Sequence, residues 1–261
     1  MSTAVTFLGA SGFEIVGPRH RILVDAFLTE NPKAHVGVDD LEVPEVVLVT
    51  HAARDHYGDA AAIALRTGAP VVCGPDVRLM LLDEGVPAEQ IRATMWGICV
   101  EVGGLHVRPV ENRHFSLARL KDGQYVTGQP LAFVFETEPG VRFYHSGDSA
   151  YFDMRPIGEL YRPTVGLIGC SVPEELLHWV PGAGRLVSGE MDAEEAARVA
   201  EMLGVRVAVG HHYLEPDAEA GRFLELVPQH DTTGERVALT PRIGESFVYD
   251  GAEIDLAESR T

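Results

Sequence analysis

The sequence predicts an α/β fold in which two β-sheets pack together with helices outside. Three observations point there. Short runs rich in Val, Ile, Leu and Phe recur along the chain, and Gly, Pro or Asp ends many of them. Both halves also carry helical stretches, so each sheet has material to cover its outer face. No Pro/Gly/Ser linker separates the halves, so residues 1–261 read as one domain made of two similar halves.

The elements follow in order. Val5-Thr6-Phe7-Leu8 is a strand ended by Gly9. Phe13 to Val16 is ended by Gly17-Pro18, and Arg21 to Val24 runs into Asp25. Val46 to Val49 is apolar without interruption, the mark of a strand covered on both faces, and it leads to Thr50-His51. Asp59 to Arg66 is alanine-rich and helical, and Gly68-Ala69-Pro70 breaks it before the short strand Val71 to Cys73. A helix follows around Val77 to Asp83, then two strands around Gly103-Gly104 within Ile98 to Val110. Leu131 to Glu136 and Val141 to His145 flank Pro139-Gly140 as a hairpin. Met154 to Tyr161 is helical and Val165 to Cys170 is a buried strand. Asp192 to Leu203 is an amphipathic helix, with Asp192 at its N-cap and Gly204 just past its end. Val205 to Gly210 is a strand leading into His211-His212. A helix from Asp217 to Leu226 and strands at Arg236 to Leu239 and Ser246 to Tyr249 complete the chain.

Composition narrows the partners. Acidic residues number 39 against 21 basic ones, a formal charge of -18. Such a field repels phosphate backbones, so nucleic acid is not an expected partner. A small-molecule substrate is, and even an anionic one is compatible if cations dominate the pocket. Cys73, Cys99 and Cys170 form no CxxC pair, and each has apolar neighbours, which suits buried thiols in a reducing cytosol. The N-terminal residues lack a basic stretch followed by a long apolar run, and no window approaches the ~20 apolar residues of a membrane span. The expectation is therefore a cytoplasmic protein with no membrane partner.

The string carrying chemistry is Thr50-His51-Ala52-Ala53-Arg54-Asp55-His56-Tyr57-Gly58-Asp59. Two imidazoles and a carboxylate follow a buried strand, and His nitrogen with Asp oxygen suits zinc, manganese or iron. Spacing alone equally allows a core histidine, an exposed one and Asp55 as a helix N-cap. Three further strand ends present the same chemistry: His114, Asp148 within Tyr144-His145-Ser146-Gly147-Asp148, and His211-His212. Convergence of these ends is what a metal pocket at one edge of a sandwich requires.

With these pieces in order, the chain resembles the metallo-β-lactamase superfamily, and within it the L-ascorbate-6-phosphate lactonase-like branch of metal-dependent hydrolases. The similarity spans roughly residues 4 to 215 and includes Thr6 to Gly9 with Gly12-Phe13, Ile22 to Phe27, the His51 to Asp59 string, His114, Tyr144 to Asp148, Ile157 to Tyr161 and His212-Tyr213. The resemblance implies a four-layer αββα sandwich holding one or two divalent ions, zinc first, with manganese or iron as alternatives. It implies His51 and His114 as ligands of a first ion, Asp55, His56 and His212 as ligands of a second, and Asp148 bridging. Asp25 would orient a ligand histidine, and His211 would face away from His212. The implied reaction is hydrolysis of a small-molecule ester, a lactone or a phosphoester, by water activated on the metal. Asp55 or Asp148 would orient that water; His145 is a candidate to protonate the leaving oxygen, and equally a core histidine bonded to backbone. A homo-oligomer suits this branch.

The chain departs from the family pattern at three places. Ala53 stands where the string usually has a second histidine, Ala10 where this branch often has one, and Arg54 where a small residue is usual. Arg54 must turn outward or hold an anionic substrate, because two cations would repel it. The stretch 171–190 is longer than the family's usual crossing and reads as a surface insertion or as a lid or subunit contact, with His178 exposed and inert. These departures motivate two rivals. One is a non-hydrolytic metalloenzyme performing elimination, rearrangement or iron-dependent oxidation in specialised metabolism. The other is a degenerate binding protein without metal.

Overall fold

The computed structural model describes residues 2–173, 179–180, 184–185 and 189–256. The first sheet is built mostly from β1 (Thr3–Gly9), β2 (Gly12–Val16), β3 (Arg21–Val24), β4 (Val46–Leu48), β5 (Val71–Cys73) and β6 (Ile91–Ala93). Helices α1 (Arg54–Tyr57) and α2 (Ala60–Thr67) connect β4 to β5, and α3 (Pro75–Asp83) lies before β6. The second sheet begins with β7 (Val100–Val102) and β8 (Leu105–Val110). A separate ribbon, β9 (Ser116–Arg119) with β10 (Tyr125–Gly128), precedes β11 (Ala132–Glu138) and β12 (Val141–His145). Then come α4 (Arg155–Tyr161), β13 (Val165–Gly169) and a short pair, β14 (Trp179–Val180) with β15 (Gly184–Arg185). The chain continues with α5 (Ala193–Leu203), β16 (Val207–His211), α6 (Ala218–His230), β17 (Val237–Leu239), β18 (Ser246–Tyr249) and β19 (Ile254–Leu256).

The first sheet has the order β19-β18-β1-β2-β3-β4-β5-β6 and the second β17-β16-β13-β12-β11-β8-β7. Side-chain alternation explains why the sheets stack. Ile22 and Val24 of β3 and Val46 and Leu48 of β4 join the core that also holds Phe133, Phe135 and Phe143 of the second sheet. Leu23, Val47 and Val49 point the other way, into a second core with Ala60, Ile63 and Ala64 of α2 and Val77 and Leu81 of α3. A strand sandwiched on both faces must be apolar throughout, as Val46 to Val49 is. On the far side, α5 and α6 pack on each other and on β13, β16 and β17. This is the expected α/β architecture, with two large sheets face to face and helices outside.

Local chemistry sets the element ends. Asp192 caps α5 by accepting from the Glu195 N–H at 2.9 Å, while the Glu195 carboxylate accepts from the Asp192 N–H at 3.3 Å. Gly204 ends α5 with φ +67°. Several features depart from expectation. α6 runs past Leu226 to His230 with Pro228 inside, because proline so near the end removes a hydrogen bond only from the last turn. β6, the β9–β10 ribbon and β19 were not expected. β6 and β19 lie at sheet edges, and these strands alternate weakly or expose most of their residues. Cys73 and Cys170 are buried, whereas Cys99 is exposed beside a turn in which Ile98 N–H meets the Met95 carbonyl. Residues 174–178, 181–183 and 186–188, which cover most of the expected insertion and His178, lie outside the described residues. No helix among the described residues is long and apolar enough to cross a membrane.

Candidate metal centre

Parallel strands place the site. β3, β4, β5 and β6 run parallel, as do β12, β13, β16 and β17. Loops at the carboxyl ends of such strands gather on one edge of a sheet, where ligands bind. His51 follows β4, Asp148 follows β12 and His212 follows β16 directly. Asp55 and His56 lie on α1, and His114 lies between β8 and β9.

Four expected histidines meet around the Asp148 carboxylate, and Asp55 stands beside two of them. Its Oδ2 lies 3.1 Å from His56 Nε2, 3.8 Å from His51 Nε2 and 3.9 Å from His114 Nε2. Its Oδ1 lies 3.3 Å from His212 Nε2. Asp55 Oδ2 stands 3.4 Å from His212 Nε2 and 3.7 Å from His56 Nε2.

Every ring is held from behind through Nδ1. His56 Nδ1–H donates to Asp25 Oδ2 at 2.7 Å. The Thr50 hydroxyl donates to the same Asp25 oxygen at 2.7 Å, so its oxygen is left to accept from His51 Nδ1–H at 3.1 Å. His212 Nδ1–H donates to the Ser171 carbonyl at 2.8 Å, and His114 Nδ1–H to the Gly189 carbonyl at 3.0 Å. These bonds fix the tautomer that leaves Nε2 as a lone-pair donor facing inward. The inward Nε2 atoms of His51, His56 and His212 are buried and make no hydrogen bond. Buried polar atoms without partners are costly, and three of them aimed at one carboxylate fit a divalent cation.

The electrostatics agree. Burial lowers His51 well below the ordinary imidazole range, and His56 adds to the effect. Burial likewise lowers His114. Burial acts the same way on His56, yet Asp148, Asp55 and Asp25 raise it well above that range. His212 rises to about 10 against its burial, chiefly through Asp148. Asp148 falls well below the carboxylate range because His212 and His56 outweigh its burial. The cluster calls for positive charge at its centre.

Local backbone supports this arrangement. Gly147 has φ +54°, and a Cβ there would lie 2.9 Å from the Thr50 side chain, so only glycine lets the β12 loop carry Asp148 past Thr50. Gly58 has φ +45°, and a Cβ there would lie 2.2 Å from the Ala26 carbonyl oxygen. Asp59 is no part of the cluster. Its carboxylate accepts from the N–H groups of Leu28 and Thr29 at 2.7 and 2.9 Å.

The hydrogen bonds favour the core-histidine reading of His145. His145 is not placed to protonate a leaving oxygen, because both ring nitrogens are engaged. Nε2–H donates to the Ser11 carbonyl at 2.9 Å and Nδ1 accepts from the Gly147 N–H at 3.0 Å. Its ring stacks on His211, 5.0 Å between centroids, and His211 in turn bonds Ser11 and Ser146. These two rings form a buried support beneath the metal-facing layer. Arg54 turns outward, where it pairs with Glu30 at 3.3 Å and lies over the Phe27 ring. Ala10 is buried with φ +51° and exchanges backbone hydrogen bonds with His212 and Tyr213.

Sequence reasoning passed over Glu190. Among the described residues the ligand atoms fall into three groups, each within 4.8 Å: His51, His56 and Asp148; Asp55, His56 and His212; and His114, Asp148 and Glu190. Glu190 ends the stretch 171–190, read as an insertion, a lid or a subunit contact and not as a source of ligands. A carboxylate two residues before the Asp192 cap was the available signal.

Residues 20–213 match the family described as the β-lactamase superfamily domain. A UPF0173 metal-dependent hydrolase of Thermococcus onnurineus is 38% identical over 251 residues, covering 96% of this chain and 94% of that protein. One from Rubrobacter xylanophilus is 36% identical over 214 residues, covering 81% of each. Among solved structures, Igni18, a metallo hydrolase from the archaeon Ignicoccus hospitalis, superposes with a TM-score of 0.75 at 24% identity, covering 96% of this chain and 99% of that one. The match of family, relatives and fold, on a chain that gathers four histidines about an aspartate at one sheet edge, establishes that this protein belongs to the metallo-β-lactamase superfamily.

Proposed function

We propose that this protein is a metal-dependent hydrolase acting on a small-molecule ester, a lactone or a phosphoester. One observation carries the reading: four imidazoles, each tied back through Nδ1, present Nε2 around the Asp148 carboxylate. His51 and His114 would hold a first ion, Asp55, His56 and His212 a second, and Asp148 would bridge. The donors suit zinc, and the carboxylates extend the range to manganese and iron.

A bound divalent cation supplies Lewis acidity, polarising the scissile oxygen and acidifying water. The chain supplies position. Asp25 holds His56, and Thr50 holds His51, so both rings are oriented before substrate arrives. Asp55 and Asp148 are the carboxylates assigned to orient the attacking water and accept hydrogen bonds from it. The lactone or phosphoester preference rests on the resemblance to the ascorbate-phosphate lactonase branch.

The test is a panel of lactones and phosphoesters assayed with protein as purified, after chelation and after metal is restored. Ester hydrolysis that chelation abolishes and metal restores is expected, and Asp148→Ala should lose metal and at least ~1,000-fold of the rate together. Turnover retained by metal-free Asp148→Ala would overturn the reading. Iron as the native ion, without ester hydrolysis, would move the site to redox chemistry.

A further inference from the structure

We propose that Glu190 is a metal ligand of this protein, completing the first ion position together with His51, His114 and Asp148 in place of the side chain missing at Ala53. The proposal rests on the metal-centre reading above. Ala53, at the N-cap of α1, has no donor atom. Without it, His51 Nε2 and His114 Nε2 are the nitrogens near Asp148 Oδ2 on that side, at 3.8 and 3.9 Å. Glu190 approaches the His114 side of Asp148 from another element, its ligand oxygen within 4.8 Å of the His114 ligand nitrogen and an Asp148 oxygen. That spacing suits oxygens and nitrogens sharing one ion, each about 2.0–2.2 Å from it.

Two features separate Glu190 from an incidental surface carboxylate. Its Oε2 is buried and has no hydrogen-bond partner. An unpartnered carboxylate facing a second carboxylate, Asp148, is repelled and poorly solvated unless a cation lies between them. Its backbone is also anchored on both sides. The preceding Gly189 carbonyl accepts from His114 Nδ1–H at 3.0 Å, so one short segment orients a ligand histidine and offers a carboxylate to the same ion. On the other side Met191 is buried and Asp192 caps α5. The segment is therefore fixed relative to both His114 and the second sheet. A third carboxylate beside Asp55 and Asp148 also offsets more of the charge of two divalent ions.

Metal content decides the matter without reference to turnover. Apo-protein is loaded with excess zinc and desalted, and bound zinc is measured by elemental analysis alongside release to a competing chelator. Wild type is expected to hold two equivalents. Glu190→Gln should hold one, the first position weakened at least tenfold. Adding Ala53→His to Glu190→Gln should restore the second equivalent. Two equivalents in Glu190→Gln with unchanged chelator competition would overturn the proposal, even if turnover fell, since Glu190 would then act on protons rather than on metal. A single wild-type ion that the variant keeps would overturn it too. The double variant remaining at one equivalent also counts against it; if Glu190→Gln misfolds, wild-type crystals soaked in zinc carry the test, and an ion beside His51 and His114 with Glu190 out of ligand reach would overturn the proposal. Wild type holding no metal would instead sink the underlying hydrolase reading.

Discussion

Asp25 shows how much of the site depends on a residue that touches no ion. It is fully buried with φ +44°, and its carboxylate accepts from Thr50 N–H at 2.8 Å, from the Thr50 hydroxyl and from His56 Nδ1–H. Through Thr50 it also sets His51. Asp25→Asn keeps the shape but replaces an acceptor oxygen with a donor NH₂, which cannot take the His56 proton. Metal affinity should fall about 10–100-fold with all six expected ligands intact, measured by chelator competition. Unchanged affinity would show that the ring needs no such anchor. The Asp25 role was legible through the family resemblance, which implies that it orients a ligand histidine. The His145 role was not, because its hydrogen bonds go to Ser11 and Gly147 backbone groups, which carry no mark in the sequence. Glu190 was missed for a similar reason: it belongs to no motif, and only the fold brings it to His114.

At the level of elements, the boundaries that side chains enforce were the readable ones. The Asp192 cap and Gly204 end delimit α5, and apolar runs delimit β3 and β4. Weakly patterned edge strands such as β6 and β19 left no comparable trace, since their backbone pairing asks little of their side chains. One junction has a pH signature. Asp231, after α6, accepts from Thr233 N–H and Arg236 N–H at 2.9 and 2.8 Å and lies 3.3 Å from the Arg236 guanidinium, which also reaches Glu201. Burial works against its charge, yet the Arg236 N–H and the Thr233 groups lower it from 3.8 to about 2. A folded value below the unfolded one stabilises the protein above about pH 4, and that contribution disappears as pH falls toward 2. Asp231→Asn should therefore lower Tm by roughly 2–5 °C at pH 7, and the gap to wild type should close between pH 4 and pH 2. A gap independent of pH would assign the loss to packing.

On the scale of the molecule, two stacked sheets turn their parallel strand ends toward one rim, and that alone brings residues 51, 148 and 212 together. The layered architecture was readable because each buried strand must be apolar and each half carries its own helices. The convergence itself was an inference from four strand ends bearing His or Asp, and the distances around Asp148 now give it a geometry. What the altered string at Ala53 means could not be read locally, since the compensating carboxylate lies far along the chain. Cations held among these side chains are what the proposed chemistry requires. An anomalous-difference map at a metal absorption edge, from crystals grown with that metal, tests that requirement most directly. Density is predicted between Asp55, His56, His212 and Asp148, with a second peak among His51, His114, Asp148 and Glu190. No anomalous density at this cluster, or an ion bound only elsewhere, would contradict it.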